Sequence, residues 1–202
     1  EMAAHGFETT VIYNAFERTA RGDRAGQRAR LGVGHDELLL AHPVRAIERK
    51  DLPTAIAMAE ALGATYWLLG PPEEGYGPVL DRLIAGAACR VLHEPCGVEA
   101  DIYAAADGVL FPSTWEGFGN PPLEAALHRR HCVVGRYPFA AELRELGFRF
   151  VEPGDVETLA RLVRDPDAVA LDTNERLVAE HFSVARLEAA LRDLLEQAGW
   201  LP

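Results

Sequence analysis

Gly108-Val109-Leu110-Phe111-Pro112-Ser113-Thr114-Trp115-Glu116-Gly117-Phe118-Gly119-Asn120-Pro121-Pro122-Leu123-Glu124 decides how the rest of this chain is read. Its first four residues are apolar and read as a short buried strand stopped by Pro112. A loop rich in Gly and Pro follows and carries Glu116. Residues 123–129 read as a helix with Glu124 in its first turns. The order strand, glycine-rich loop, helix aims free backbone N–H groups and a positive helix end at one spot, the usual phosphate site of a parallel α/β protein. Glu116 and Glu124, separated by seven residues, bring two carboxylates there. Carboxylates accept hydrogen bonds from sugar hydroxyls. The combination predicts a nucleotide-sugar site.

Working outward, the strand-then-helix unit repeats. Residues 10–16 read as an apolar strand with a turn at Asn14. Residues 18–34 are polar and basic, with a helix over 24–31 closed by Gly32. Residues 38–42 form a continuous apolar run, as in a strand covered on both faces. After a basic loop (residues 43–50), Asp51 caps a helix with Pro53 in its first turn and Gly63 as its stop. Strands follow over 64–69, 89–92, 108–111, 132–135 and 148–151. Helices are expected within 75–87 and over 98–105, 138–146 and 155–163. The tail reads as a helix over 174–181 and another capped by Ser183, with Leu187, Leu191, Leu194, Leu195 and Ala198 as its apolar stripe. Such alternation means βα units, a parallel sheet and all strand ends on one rim. Ligands bind at that rim, so the 45–50 and 116–124 loops share it. The fold class is α/β, a Rossmann-like parallel sheet with helices on both faces.

The 202 residues suffice for one large domain with a full core. Apolar content of 49% and charged content of 25% are those of a globular protein. A net charge of −11 and a pI of about 5.1 argue against nucleic acid as the main partner. No apolar run approaches the ~20 residues of a membrane span, and no signal peptide is read at the start. Cys89, Cys96 and Cys132 match no metal or redox spacing and read as inert thiols in a reducing, cytoplasmic setting. The chain begins at Glu1, and we expect it to be the later part of a longer gene product.

The Glu116-to-Glu124 spacing, with Phe118-Gly119 inside it and Ala106-Asp107-x4-Pro112-Ser113 before it, resembles the Glu-x7-Glu signature of retaining glycosyltransferases of the GT-B fold. The nearest resemblance is to family 4, the group-1 family, and it covers roughly residues 10–195. It implies that the whole of 1–202 is one nucleotide-sugar-binding domain, the C-terminal half of a GT-B fold. The final helix (183–202) would then cross back to a missing N-terminal domain. By the same resemblance, Arg45 and Lys50 match an Arg-x4-Lys pair that grips the donor diphosphate, with Val44 and Asp51 where the family has glycines. Ala15 likewise stands where the family's interdomain strand has glycine. Glu124 would hold the ribose hydroxyls and Glu116 the transferred sugar. Backbone N–H groups near Phe118, Gly119 and Asn120 would hold that sugar too. Leu123 would face phosphate, because Pro122 has no N–H. The base would lie against residues 93–97, beginning at His93. The implied partners are a nucleoside diphosphate sugar and an unknown acceptor, with membrane contact through the other domain left open. No cofactor and no metal is expected.

Physical chemistry agrees with the basic pair. Charge builds on a diphosphate as it leaves, and two fixed cations with a helix N-terminus stabilise that charge. Alone, Arg45, Arg49 and Lys50 would read as a solvated loop. Alternatives are a regulatory or scaffold domain without catalysis, and a nucleotide-sugar phosphorylase or hydrolase on the same fold. Simple hydrolysis with the two acids as acid and nucleophile gives the basic pair no role. Among weaker signals, Asp165-Pro166-Asp167 reads as a capping turn rather than a metal motif. His128 and His131, which flank a helix end, read as solvated or dipole-stabilising groups. His42 reads as structural or in reach of a ligand. Trp115 reads as a packing residue, and Arg136-Tyr137-Pro138 as a rim segment that could touch sugar or acceptor. The absence of Gly-x-Gly-x-x-Gly after the first strand argues against a dinucleotide dehydrogenase.

Overall fold

A computed structural model of the chain describes residues 5–6, 9–17 and 20–200. Five parallel strands form one sheet in the order β3-β2-β1-β4-β5. They are β1 (Leu39–His42), β2 (Thr65–Leu68), β3 (Val91–His93), β4 (Gly108–Phe111) and β5 (Cys132–Val134). All but the edge strand β3 are fully buried, which is why they read as unbroken apolar runs.

The helices are α1 (Arg24–Leu31), α2 (Leu52–Leu62), α3 (Gly77–Gly86), α4 (Glu99–Ala105), α5 (Asn120–Leu127), α6 (Pro138–Glu145), α7 (Val156–Arg164), α8 (Ala168–His181) and α9 (Val184–Gln197). The chain builds outward from β1 through β2 to β3, then returns to β4 and β5. Right-handed crossovers therefore place α2 and α3 on one face and α4 and α5 on the other. A second layer follows this split, with α7 packed on α2, α8 on α5 and α1 on α4.

Local chemistry sets the helix ends. Asp51, Asp155 and Asp167 accept hydrogen bonds from Thr54, Thr158 and Ala170 amides at 3.3, 3.0 and 3.0 Å, the N-cap interaction. Asp167 thus makes Asp165-Pro166-Asp167 the capping turn that was expected. Gly32 and Gly63 close α1 and α2 with φ of 63° and 62°, where a side chain would be strained.

Five expectations are corrected. Residues 9–17 join no strand, and Phe16 instead donates its amide to the Phe182 carbonyl at 2.7 Å. The expected strand over 148–151 contracts to one parallel bridge, Val133 to Val151, at the position of a sixth strand. Helix α5 starts at Asn120, three residues before the expected start, because two prolines have the φ a first turn needs. Helix α8 starts at Ala168, six residues before its expected start, once capped by Asp167. The last helix, expected over 183–202, is described as Val184–Gln197, and residues 201 and 202 lie outside the described residues. It buries none of its side chains fully, and Val184 and Leu191 are exposed. Among the described residues no helix is long and apolar enough to cross a membrane.

The end of β5 fits tightly under the loop after β4. The Gly135 amide donates to the Phe111 carbonyl at 2.9 Å, and a Cβ on Gly135 would lie 1.9 Å from the Ser113 carbonyl oxygen. Gly135→Ala is expected to cost about 3 kcal/mol through this overlap. Urea unfolding of the two proteins measures it, and an unchanged midpoint would refute the fit described.

Candidate active site

Strand order puts β1 beside β4 although their sequences lie far apart. The chain leaves them in opposite directions, so a crevice opens between their carboxyl ends, as at the switch point of doubly wound sheets. The loop after β1 is tied to the loop after β2, with Ala46 N to Pro71 O and Gly70 N to Val44 O both at 2.9 Å. A Cβ on Gly70 would lie 2.4 Å from that Val44 oxygen. The loop then turns through Glu48–Lys50 as a 3-10 turn, with Asp51 left-handed at φ 50°. Thr114 N donates to Arg49 O at 2.8 Å and joins it to the loop after β4.

A cleft of about 540 Å³ lies between these loops. Arg45, Arg49 and Lys50 line it together with Glu116, Gly119, Asn120 and Glu124. Pro95, Cys96 and Ile102 also line it. Glu116 is buried and holds two cations: Oε2 accepts from Arg49 at 2.7 Å, and Oε1 accepts from Lys50 Nζ. Lys50 is buried too, its ammonium 4.9 Å from the Phe111 ring centroid. Burial draws its pKa below the usual lysine value; the Glu116 carboxylate opposes this, and Arg49 and Arg45 add to it. Arg45 is half exposed and pairs with Glu73 at 2.5 Å.

At the other wall Gly119, with φ 87°, leads into α5. A Cβ there would lie 2.8 Å from the Tyr137 hydroxyl. Because α5 begins at Asn120, the amides left without a helical acceptor are those of Gly119 and Asn120; Pro121 and Pro122 have none. Leu123 sits one turn in, its side chain fully buried in the core. Glu124 faces the cleft, and its Oε2 accepts from the Tyr103 hydroxyl. Burial raises the Glu124 pKa, the Tyr103 hydrogen bond lowers it, and Glu99 raises it. Cationic side chains on one wall of a cleft and a helix start on the other, with two carboxylates in reach, can hold a diphosphate and a polyol together.

A family model described as "Glycosyl transferases group 1" matches residues 49–165, more than half of the chain. The chain belongs to the group 1 glycosyl transferases. The mannosylglucosylglycerate synthase of Thermotoga maritima is 31% identical over 112 residues, 45% of this chain and 26% of that enzyme. The O-antigen chain mannosyltransferase RfbU of Salmonella typhimurium is 32% identical over 88 residues, 41% of this chain and 25% of that enzyme. Among solved structures, Anabaena HepE in complex with UDP-glucose superposes with a TM-score of 0.77 at 24% identity, over 93% of this chain and 57% of that one. The sucrose-phosphate synthase from Thermosynechococcus elongatus gives 0.66 at 19% identity, over 88% and 49%. The chain thus spans only part of the length of these relatives. The structural likeness establishes the α/β fold shared with GT-B glycosyltransferases.

In this group 1 domain the structure brings Arg45, Lys50, Glu116, Gly119, Asn120 and Glu124 to one cleft. Phe118 turns its ring away, stacking on Phe139 with centroids 4.1 Å apart in a cluster with Tyr13, Phe16 and Phe182. His93 is exposed, with Nε2 2.9 Å from the Gly70 carbonyl, while Pro95 and Cys96 of its segment reach the cleft. Asp107 of the signature lies at the opposite end of β4. It binds Arg24 at 2.6 Å, Arg28, and the Leu39 amide at 2.8 Å, so its role there is structural.

Other readings change. Trp115 does not pack and is 57% exposed. His131 is buried and accepts from the Asp167 amide at 3.2 Å, and His128 stacks on Tyr103 at 5.0 Å and 8°. His42 is wholly buried, bonded to the Tyr66 hydroxyl at 2.7 Å. Burial, then Lys50, depresses its pKa to about 3, so it stays neutral and structural. Arg136 and Arg144 both pair with Glu152 beside a second cavity of about 570 Å³. Tyr103 was not foreseen. It is the one aromatic in α4, and only tertiary packing shows that it meets Glu124.

Proposed function

We propose that this chain is the donor-binding half of a retaining glycosyltransferase that takes a nucleoside diphosphate sugar and passes the sugar to an acceptor. One observation carries the reading: the cationic loop, the α5 N-terminus and both signature glutamates line a single cleft at the switch point of the sheet. The relatives' names support it: one is a mannosylglucosylglycerate synthase, another an O-antigen chain mannosyltransferase, and HepE was solved with UDP-glucose.

The side chains divide the work. Arg45, Lys50 and the Gly119 and Asn120 amides hold the diphosphate and stabilise the charge that grows as the glycosidic bond breaks. Glu124 accepts from the ribose hydroxyls. Glu116, already fixed by Arg49 and Lys50, accepts from hydroxyls of the transferred sugar. Those ion pairs fit it poorly to attack as a free nucleophile. The acceptor therefore enters on the face from which the diphosphate leaves, and the diphosphate takes the acceptor proton. This gives retention of configuration with the chain's own cations, without a metal. Acceptor contacts come from the part of the enzyme beyond this chain, so the chain alone binds donor and transfers sugar poorly.

Calorimetric and thermal-shift titrations with UDP, GDP and ADP test the reading. One of the three is expected to bind, stabilising the chain by about 2.7 kcal/mol at a hundred times its dissociation constant. Glu124→Ala is expected to weaken that binding. A folded chain and a folded complete enzyme that both ignore all three nucleotides would overturn the proposal.

A further inference from the structure

The cleft depends on a residue that does not line it. Tyr103 comes from α4, the helix that crosses from β3 to β4, and it is completely buried. Its hydroxyl donates to Glu124 Oε2. Its ring lies flat against His128, and its backbone carbonyl accepts from Arg130 Nε at 2.6 Å. The tyrosine is thus held on both sides and has little freedom to follow a moving carboxylate. Among the described residues the Glu124 hydrogen bond falls on Oε2, not Oε1, and Glu124 lines the cleft. One oxygen is anchored from below and the other is left for a ligand.

We infer that Tyr103 is a positioning residue for nucleotide recognition, acting through Glu124, which it orients toward the ribose hydroxyls of a nucleoside diphosphate. The inference rests on the proposed donor site and adds a residue to it. A carboxylate that must accept from a ribose diol has to be ionised and fixed in rotation. A hydrogen bond from a rigid donor does both. Fixing the carboxylate beforehand removes an ordering cost from binding.

The surroundings make the hydroxyl matter. Glu124 is half-buried and meets the negative charge of Glu99, and both favour its neutral form. The remaining groups around Tyr103 are His128, 3.4 Å from Glu99, the Arg130 guanidinium at the tyrosine carbonyl, and the Cys132 thiol, which burial keeps protonated. Among the described residues the Tyr103 hydroxyl is what lowers the Glu124 pKa. Tyr103→Phe removes that bond and nothing else of the packing. The Glu124 carboxyl then holds its proton to a higher pH. Nucleotide affinity, which needs the carboxylate, falls away at a higher pH than in the wild type.

The experiment compares wild type, Tyr103→Phe, Glu124→Gln and the double variant of this chain. Each is titrated with UDP, GDP and ADP and with inorganic pyrophosphate between pH 5 and pH 8. Tyr103→Phe is expected to weaken the preferred nucleotide about tenfold, the size of one hydrogen bond to a charged group. It is expected to leave pyrophosphate binding unchanged and to raise the midpoint of the pH profile. The double variant should be no weaker than Glu124→Gln alone, because both changes break one linkage. Unchanged nucleotide affinity, equal losses for nucleotide and pyrophosphate, or losses that simply add would each overturn the inference. Carbon-13 titration of the Glu124 carboxyl keeps it separate from the donor reading. If the wild type binds no nucleotide, the donor reading fails; a raised Glu124 midpoint in Tyr103→Phe still supports the link, and an unmoved one overturns it.

Discussion

Replacing Lys50 with methionine in the complete enzyme is expected to lower kcat by about 10²–10³-fold, the usual loss when one fixed donor to a developing negative charge is removed. Methionine keeps the apolar stem against Phe111 and deletes only the ammonium. Lys50 is buried and held by Glu116 on one side and the Phe111 ring on the other. Its charge is therefore preorganised, and in a low-dielectric site such a charge acts far more strongly than in water. Arg45, half exposed and paired with Glu73, cannot substitute for it. Transfer rates at saturating donor, with circular dichroism to confirm folding, decide the matter. The loss should appear in kcat more than in KM, because the charge is greatest in the transition state. An undiminished kcat would remove Lys50 from the mechanism.

Asp107→Ala is expected to destabilise the chain by about 3 kcal/mol, a large fraction of the total stability of a domain. Its carboxylate serves Arg24, the buried Arg28 and the Leu39 amide at the foot of β1. Removing it leaves a buried guanidinium without its counter-charge and a strand amide without its acceptor. The effect belongs to stability and not to binding, since the residue lies at the opposite end of β4 from the cleft. Chemical denaturation should show a lowered midpoint, while nucleotide affinity of the remaining folded protein stays as in wild type. A stable variant with impaired nucleotide binding would reverse this assignment.

Asp107 also shows how far a linear motif can be read. In sequence it stands beside Pro112 and Ser113 and looks like part of one functional signature. In space the strand Gly108–Phe111 separates it from the cleft. The same holds for Phe118, whose ring builds an aromatic cluster while the glycine after it shapes the cleft.

The sequence by itself determined the alternation of strands and helices, the parallel sheet, the shared rim and the pairing of a basic loop with two glutamates. These depend on short-range chemistry: buried apolar runs, aspartate caps, prolines in first turns and glycines at helix ends. Tertiary structure alone decided the strand order that sets the loop after β1 against the loop after β4. It also decided that Lys50 meets Glu116 across 66 positions of chain and that Tyr103 meets Glu124. It decided burial as well, placing His131 inside, stacking His128 on Tyr103, leaving Trp115 outside, and denying residues 9–17 a strand. Pairing and burial are set by partners distant in sequence, and no local pattern of side chains encodes which partner arrives.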